Sequence, residues 1–218
     1  MSDSKLHPPR VALIGCGLIG QKRLNLLPPG SVTVACDTQI ERAKKIAAQS
    51  LGCIVTESFE QAVCSPNVDV VMIATINSAL APIALAAVKN GKHVLVEKPA
   101  AIFVKELDEL EAAAKKSGAL VRVGYNHRYH PAALKAQELF HGGALGEMMF
   151  MRGRYGHGGR IGYDKEWRAD PKISGGGELI DQGVHLIDLA GIFLGEFTQV
   201  EGHAATYFWK LPVDDNAF

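Results

Sequence analysis

Short apolar runs alternate with amphipathic stretches over the first 125 residues. RVALIG is followed by GLIGQKRLNLL, SVTVACD by IERAKKIAAQ, and VDVVMIAT by APIALAAVKN; HVLVEKP and ALVRVGY continue the rhythm. Apolar runs without polar alternation belong to strands covered on both faces, and the helical patterns between them supply the cover. The pattern predicts an α/β domain with a doubly wound parallel sheet. Its punctuation agrees: Pro82 suits the first turn of one helix and Gly91 follows its end, while Gly118 closes a helix predicted over 104–117.

Beyond Tyr125 the character changes, which places a boundary between residues 1–125 and 126–218. A helix at 131–140 leads through GGALG to a predicted strand, EMMFMRGRYG, then a glycine-rich charged loop, the segment GGGELIDQGVHLIDL and a last strand near VEGHAATYF. This is the start of an α+β domain. In the glycine-led segment Asp181, His185 and Asp188 fall at i, i+4 and i+7, within a narrow arc of a regular helix, while Leu179, Ile180, Val184, Leu186, Ile187 and Leu189 cover most of the rest. So apolar a helix is expected to be mostly buried, with its polar stripe facing partners or a wet cavity, because unpaired buried charge is costly. On residue type alone the Asp181–His185 pair fits a satisfied core pair or an acid/base pair; a metal site lacks an evident third ligand.

Charge narrows the partners. Lys plus Arg and Asp plus Glu both total 23, so no net field draws the chain to nucleic acid or an anionic membrane. No apolar run is long enough to span a bilayer and the start, MSDSKLHPPR, lacks a signal segment, so the expected location is cytoplasmic. Cys16, Cys36, Cys53 and Cys64 have no C-x-x-C spacing, which suits buried reduced thiols.

The first chemical motif is GCGLIG, which follows an apolar strand and opens a helix, the context that makes G-x-G-x-x-G a phosphate-binding turn. Gly15 permits the tight turn, Gly17 lets a pyrophosphate approach the backbone, and Gly20 lets helix and strand pack closely. Asp37 ends the second strand at the spacing of the acid that takes adenosine ribose hydroxyls, and a carboxylate there repels a 2′-phosphate, so NAD is favoured over NADP. Arg42, one turn on, reads as a solvated helix residue. VEKPA at 96–100 ends another strand, and ligands collect at the carboxyl ends of strands in such sheets, which aims Lys98 at the crevice; a solvated lysine before Pro99 is the other reading.

GCGLIG, GKHVLVEKP at 91–99, GYNHRYHP at 124–131, and WRADP with GGGELIDQGVHLIDL at 167–189, taken in that order, resemble the Gfo/Idh/MocA family of oxidoreductases. The resemblance implies an N-terminal Rossmann domain followed by an α+β domain with a large, mostly antiparallel sheet, here incomplete: LPVDDNAF at 211–218 resembles a segment within that domain, beyond which members continue. It implies an NAD-dependent dehydrogenase of a sugar, sugar derivative, nucleotide sugar or cyclitol, and a homo-oligomer formed through the C-terminal sheet. The family's EKP lysine corresponds to Lys98 and its Asp-x-x-x-His pair to Asp181 and His185, with His185 as acid/base, Asp181 orienting it or contacting substrate, and Lys98 donating to the reacting oxygen. The polar stripe and the glycines of 175–177 would then face the nicotinamide.

Cofactor contacts implied by position are Leu18 and Ile19 in the glycine turn, Thr75, Asn77, Glu97 and Asn126. The chain departs from the family's Thr-Pro-Asn and following His, having Ile76 and Leu80 at those places. Tyr125, Arg128, Arg160, Tyr163, Trp167, Arg168 and Asp170 suit a wall for a polyhydroxylated ligand, aromatic faces and charges together, though such rings also simply pack. Asp188 reads as a structural partner. An NAD-dependent glycoside hydrolase of the same fold and a non-catalytic NAD-binding regulator stand as alternatives.

Overall fold

The computed structural model describes residues 8–156 and 159–218; MSDSKLH, at the start of the segment read for targeting, lies outside them, as do two residues of the glycine-rich loop. The chain divides into two compact units, Met1–Val123 and Gly124–Phe218.

The first unit is a six-stranded sheet: β1 (Val11–Ile14), β2 (Val32–Cys36), β3 (Ile54–Thr56), β4 (Val70–Ile73), β5 (His93–Val96) and β6 (Val121–Val123), in the order β3-β2-β1-β4-β5-β6. Every pairing is parallel, and the register sets Ile14 opposite both Cys36 and Ile73, so the carboxyl ends of the central strands lie level. Helices α1 (Leu18–Leu24), α2 (Ile40–Ala47), α3 (Phe59–Cys64), α4 (Asn77–Lys89) and α5 (Val104–Ser117) connect them. The sheet residues are buried on both faces, Ala12, Ile14 and Val71 in one cluster with Leu80, Ala84 and Val88 of α4, and Val11, Leu13 and Ala35 in another with Ala43 and Ile46 of α2. That two-sided burial is why these strands read as unbroken apolar runs.

Two local expectations are corrected in this unit. Helix α4 starts at Asn77, so Pro82 sits in its interior. Pro82 is exposed and Ser78, whose carbonyl it cannot serve, is partly exposed, so the missing hydrogen bond falls on the outward side of the helix. The four cysteines are also not uniformly buried: Cys16 and Cys36 are, Cys53 is half-buried and Cys64 exposed. Burial pushes the Cys16 and Cys36 thiols up to about 12, which leaves both unreactive.

The second unit begins with a 3-10 turn (Asn126–Tyr129) and α6 (Pro131–His141), and continues through two further 3-10 turns (Tyr163–Lys165, Trp167–Ala169) to α7 (Pro171–Ser174). A π-helical turn (Leu179–Gly183) then runs into α8 (Val184–Leu194), and β7 (Ala204–Ala205) pairs antiparallel with β8 (Asn216–Ala217). EMMFMRGRYG is not a strand: Met149 and Phe150 are exposed, and among the described residues no strand pairs with it, so no ladder of hydrogen bonds fixes it in a sheet. VEGHAATYF contributes two strand residues only.

The glycine-led helix also differs from expectation. Its regular repeat is interrupted by the π turn around Asp181, which winds with i→i+5 bonds and so shifts the angular relation of Asp181 to His185. The burial is inverted as well. Asp181 and His185 are 7% and 4% exposed, whereas Leu179 and Ile187 are 42% and 48% exposed.

Candidate functional site

In the first unit the glycine turn follows β1 at the carboxyl end of the sheet. Gly15 has φ +89°, and a Cβ there would lie 2.4 Å from the Ala74 carbonyl oxygen. A Cβ on Gly20 would lie 2.1 Å from the Gly15 carbonyl oxygen, so α1 packs against its own turn as closely as backbone allows. Gly17 differs, since nothing lies within 4 Å of its Cβ position. Two glycines are thus required by the protein itself, and the third leaves open space beside the backbone, where a phosphate would approach. Leu18 and Ile19, 71% and 40% exposed, present apolar side chains beside that space.

Asp37 stands against the same turn. Its Oδ2 accepts the Cys16 N–H at 2.8 Å and its Oδ1 the Gln39 N–H at 2.8 Å, and it is 9% exposed. Each oxygen retains a lone pair, which suits a ribose hydroxyl. Thr75 follows β4, with its hydroxyl bonded to the Ile76 carbonyl, and Asn77 is buried at the start of α4. Leu80, where the family carries His, is fully buried in the main core cluster, so that departure exchanges a polar position for packing. After β5, Glu97 donates its N–H to the Ile73 carbonyl at 2.9 Å, and its carboxylate accepts from Arg23, a residue sequence reasoning missed. Lys98 is half-buried in the turn that follows, ahead of a cis Lys98–Pro99 bond.

The second unit gathers the other candidates around α8. The His127 ring centroid lies 3.9 Å from that of His185, and Tyr125 and Tyr155 each stand 6.2 Å from it, edge-on, so His185 is enclosed by aromatic rings. Asp181 accepts from Arg168 Nε at 3.1 Å and Gln182 Nε2 at 3.2 Å. Arg168 also lies 4.5 Å over the Trp167 ring and bonds Glu166, which takes a two-point contact from Arg160 at 2.7 and 2.8 Å. Asp188 is the structural partner expected of it, paired at two points with Arg128. That pair raises the Arg128 pKa, chiefly through the hydrogen bond to Asp188.

The proposed wall residues therefore separate. Tyr125 and Arg128 line a cleft of about 500 Å³ with Val184, Ile187, Asp188 and Phe197. Tyr163 is 5% exposed, with its hydroxyl on Glu178 at 3.4 Å and its pKa pushed up to about 12 by burial and then by Glu178 and Asp181. Asp170 caps α7 by accepting the Lys172 N–H at 2.9 Å. Asn126 is exposed and contacts His127 Nδ1 at 3.1 Å.

Of the glycines at 175–177, Gly176 and Gly177 meet protein. A Cβ on Gly177 would lie 1.7 Å from the Asp214 carbonyl oxygen, while the Asp214 carboxylate accepts the Gly177 and Leu179 N–H groups, each at 2.8 Å, and its carbonyl accepts that of Glu178 at 2.9 Å. Asp214 carried no local signal, being 37 residues from Gly177. Among the described residues no cluster of His, Cys, Asp and Glu is placed to hold a metal, and no helix is long and apolar enough to cross a membrane.

Comparison with known proteins adds to this geometry. Residues 9–125 match the family described as "Oxidoreductase family, NAD-binding Rossmann fold", and residues 133–218 match the "GFO/IDH/MocA C-terminal domain". Levoglucosan dehydrogenase of Pseudarthrobacter phenanthrenivorans is 32% identical over 72% of this chain and 41% of its own length. The scyllo-inositol 2-dehydrogenase (NAD(+)) of Bacillus subtilis is 28% identical over 90% of this chain and 57% of its own. A solved structure of levoglucosan dehydrogenase in complex with NADH and levoglucosan superposes with a TM-score of 0.86 at 29% identity, over 97% of this chain and 62% of that one. The chain thus spans about half the length of these curated relatives.

Proposed function

The chain belongs to the Gfo/Idh/MocA family of oxidoreductases, and on that premise we propose that it transfers a hydride between a secondary alcohol of a sugar, sugar derivative, nucleotide sugar or cyclitol and NAD. The observation that carries this reading is the division of labour in the glycine turn: Gly15 and Gly20 are closed by backbone, Gly17 is open, and Asp37 stands bonded to the turn itself. Gly15, Gly17, Leu18, Ile19 and Gly20 would hold the pyrophosphate, Asp37 the adenosine ribose, and Thr75, Asn77, Glu97, Lys98 and Asn126 the remainder. Bound NAD would supply the hydride acceptor.

The proton is the protein's task. A neutral imidazole can take a hydroxyl proton, which suits His185 to that role, and its ring is held by the aromatic enclosure around it. Asp181, fixed by Arg168 and Gln182, would orient that ring or a substrate hydroxyl. Lys98 would donate to the reacting oxygen and stabilise alkoxide character. Tyr125, Arg128, Trp167 and Arg168 offer aromatic and charged surface for a polyhydroxylated substrate, with Tyr163 supporting from behind.

We place the protein in the cytoplasm, in keeping with four free cysteines, and propose a homo-oligomer formed through the second unit, where Met149, Phe150, Val200 and Phe208 are 75–90% exposed. A screen of sugars, sugar acids, nucleotide sugars and cyclitols with NAD and NADP, followed at the NADH absorbance, tests the reaction. Net NADH from at least one class is expected. His185→Ala and Lys98→Ala should each lower turnover by about a hundredfold or more while leaving NAD affinity nearly unchanged. Full turnover in either variant would remove that residue's role.

A further inference from the structure

Arg23, in the last turn of α1, sends Nε and Nη2 to the same oxygen, Oε1 of Glu97, at 2.8 and 2.5 Å. The side chains are 22% and 16% exposed, and the pair joins residues 74 positions apart. Glu97 is otherwise anchored through its backbone, which donates to Ile73 and accepts the Ala100 N–H at 3.0 Å. The ion pair therefore ties the helix that carries the glycine turn to the end of β5, next to Lys98. Because both bonds end on Oε1, Oε2 keeps its lone pairs for another donor.

The strand order says which donor. The chain reverses between β1 and β4, the point at which such sheets take a dinucleotide. With the pyrophosphate at the turn after β1 and the adenosine ribose at Asp37 after β2, the ends of β4 and β5 remain for the other half. We propose that Arg23 is a positioning residue for the nicotinamide half of the cofactor: it fixes the Glu97 carboxylate so that Oε2 accepts a hydroxyl of the nicotinamide ribose. This rests on the reading of the first unit as an NAD-binding domain. Exposed ion pairs are worth little, but a partly buried guanidinium that grips Oε1 through two N–H groups restrains where that oxygen lies and limits the carboxylate's movement.

The test compares two ligands that share the adenosine and the diphosphate: NADH, which carries the nicotinamide ribose, and ADP, which lacks it. Both are titrated by calorimetry into the wild type, Arg23→Gln, Glu97→Gln and the double variant, with melting temperatures alongside. Each single variant should bind NADH about tenfold more weakly and ADP within about twofold of wild type, and the double variant should match Glu97→Gln, since Arg23 acts through it. Arg23→Lys, which keeps the charge and loses the two-point geometry, should fall between. Equal losses for both ligands, unchanged NADH affinity in Arg23→Gln, or additive losses in the double variant would each overturn the proposal. A wild type that binds neither ligand would remove the dinucleotide reading and this inference with it, a result distinct from all of those.

Discussion

Gly17 and Gly20 lie three residues apart in the same motif yet should respond oppositely to one methyl group. Alanine at 20 meets a backbone oxygen that cannot move without shifting β1, so Gly20→Ala should cost about 2 kcal/mol or more and lower the melting temperature, with or without ligand. Alanine at 17 meets nothing in the protein, so Gly17→Ala should melt like the wild type and lose NAD affinity by about tenfold or more, as read by titration. Asp37 gives a third case. Its charge faces the place where a 2′-phosphate would come, so Asp37→Asn should narrow the preference for NAD over NADP, measured as the ratio of the two dissociation constants. All three positions stand out in the sequence, because they belong to a local turn of fixed geometry.

At the scale of elements, legibility depends on how local the partners are. The parallel strands and α5 announce themselves through periodicity and a closing glycine; Gly118 does adopt the left-handed conformation, at φ +72°. The second unit is held by contacts that periodicity does not show. Asp214 clamps the start of the π turn, and Asp215 accepts the N–H groups of Tyr207, Phe208 and Trp209 at 2.7–2.8 Å. Desolvation alone would raise the Asp215 pKa, but its hydrogen bonds outweigh that and lower it from 3.8 to about 2. A carboxyl depressed in the folded state contributes stability above its unfolded value and loses it as pH falls through its folded one. The melting temperature of wild type minus that of Asp215→Asn should therefore be largest above about pH 5 and shrink from about pH 4 to pH 2. An unvarying difference would show that the carboxylate's charge plays no part.

Across the whole molecule, the candidate residues divide the same way. The glycine turn, Asp37, Lys98, Asp181 and His185 were picked out by motif and resemblance, whereas Arg23, His127 and Asp214 gain their partners only when distant segments fold together. The wall residues were read by chemical type, and type did not distinguish Tyr125, on a cleft, from Tyr163, packed beneath Trp209 at 6.0 Å between ring centroids. The exposed apolar side chains of the second unit should also be visible in solution as a mass above that of a single chain by light scattering. The Asp214 clamp has its own consequence for handling the protein. Phe208 is 77% exposed, just ahead of the clamp in the chain. A chymotryptic nick there would leave the peptide that pins the histidine-bearing helix held by non-covalent contacts alone, so dilution after nicking should unravel that helix while the nucleotide fold stays intact.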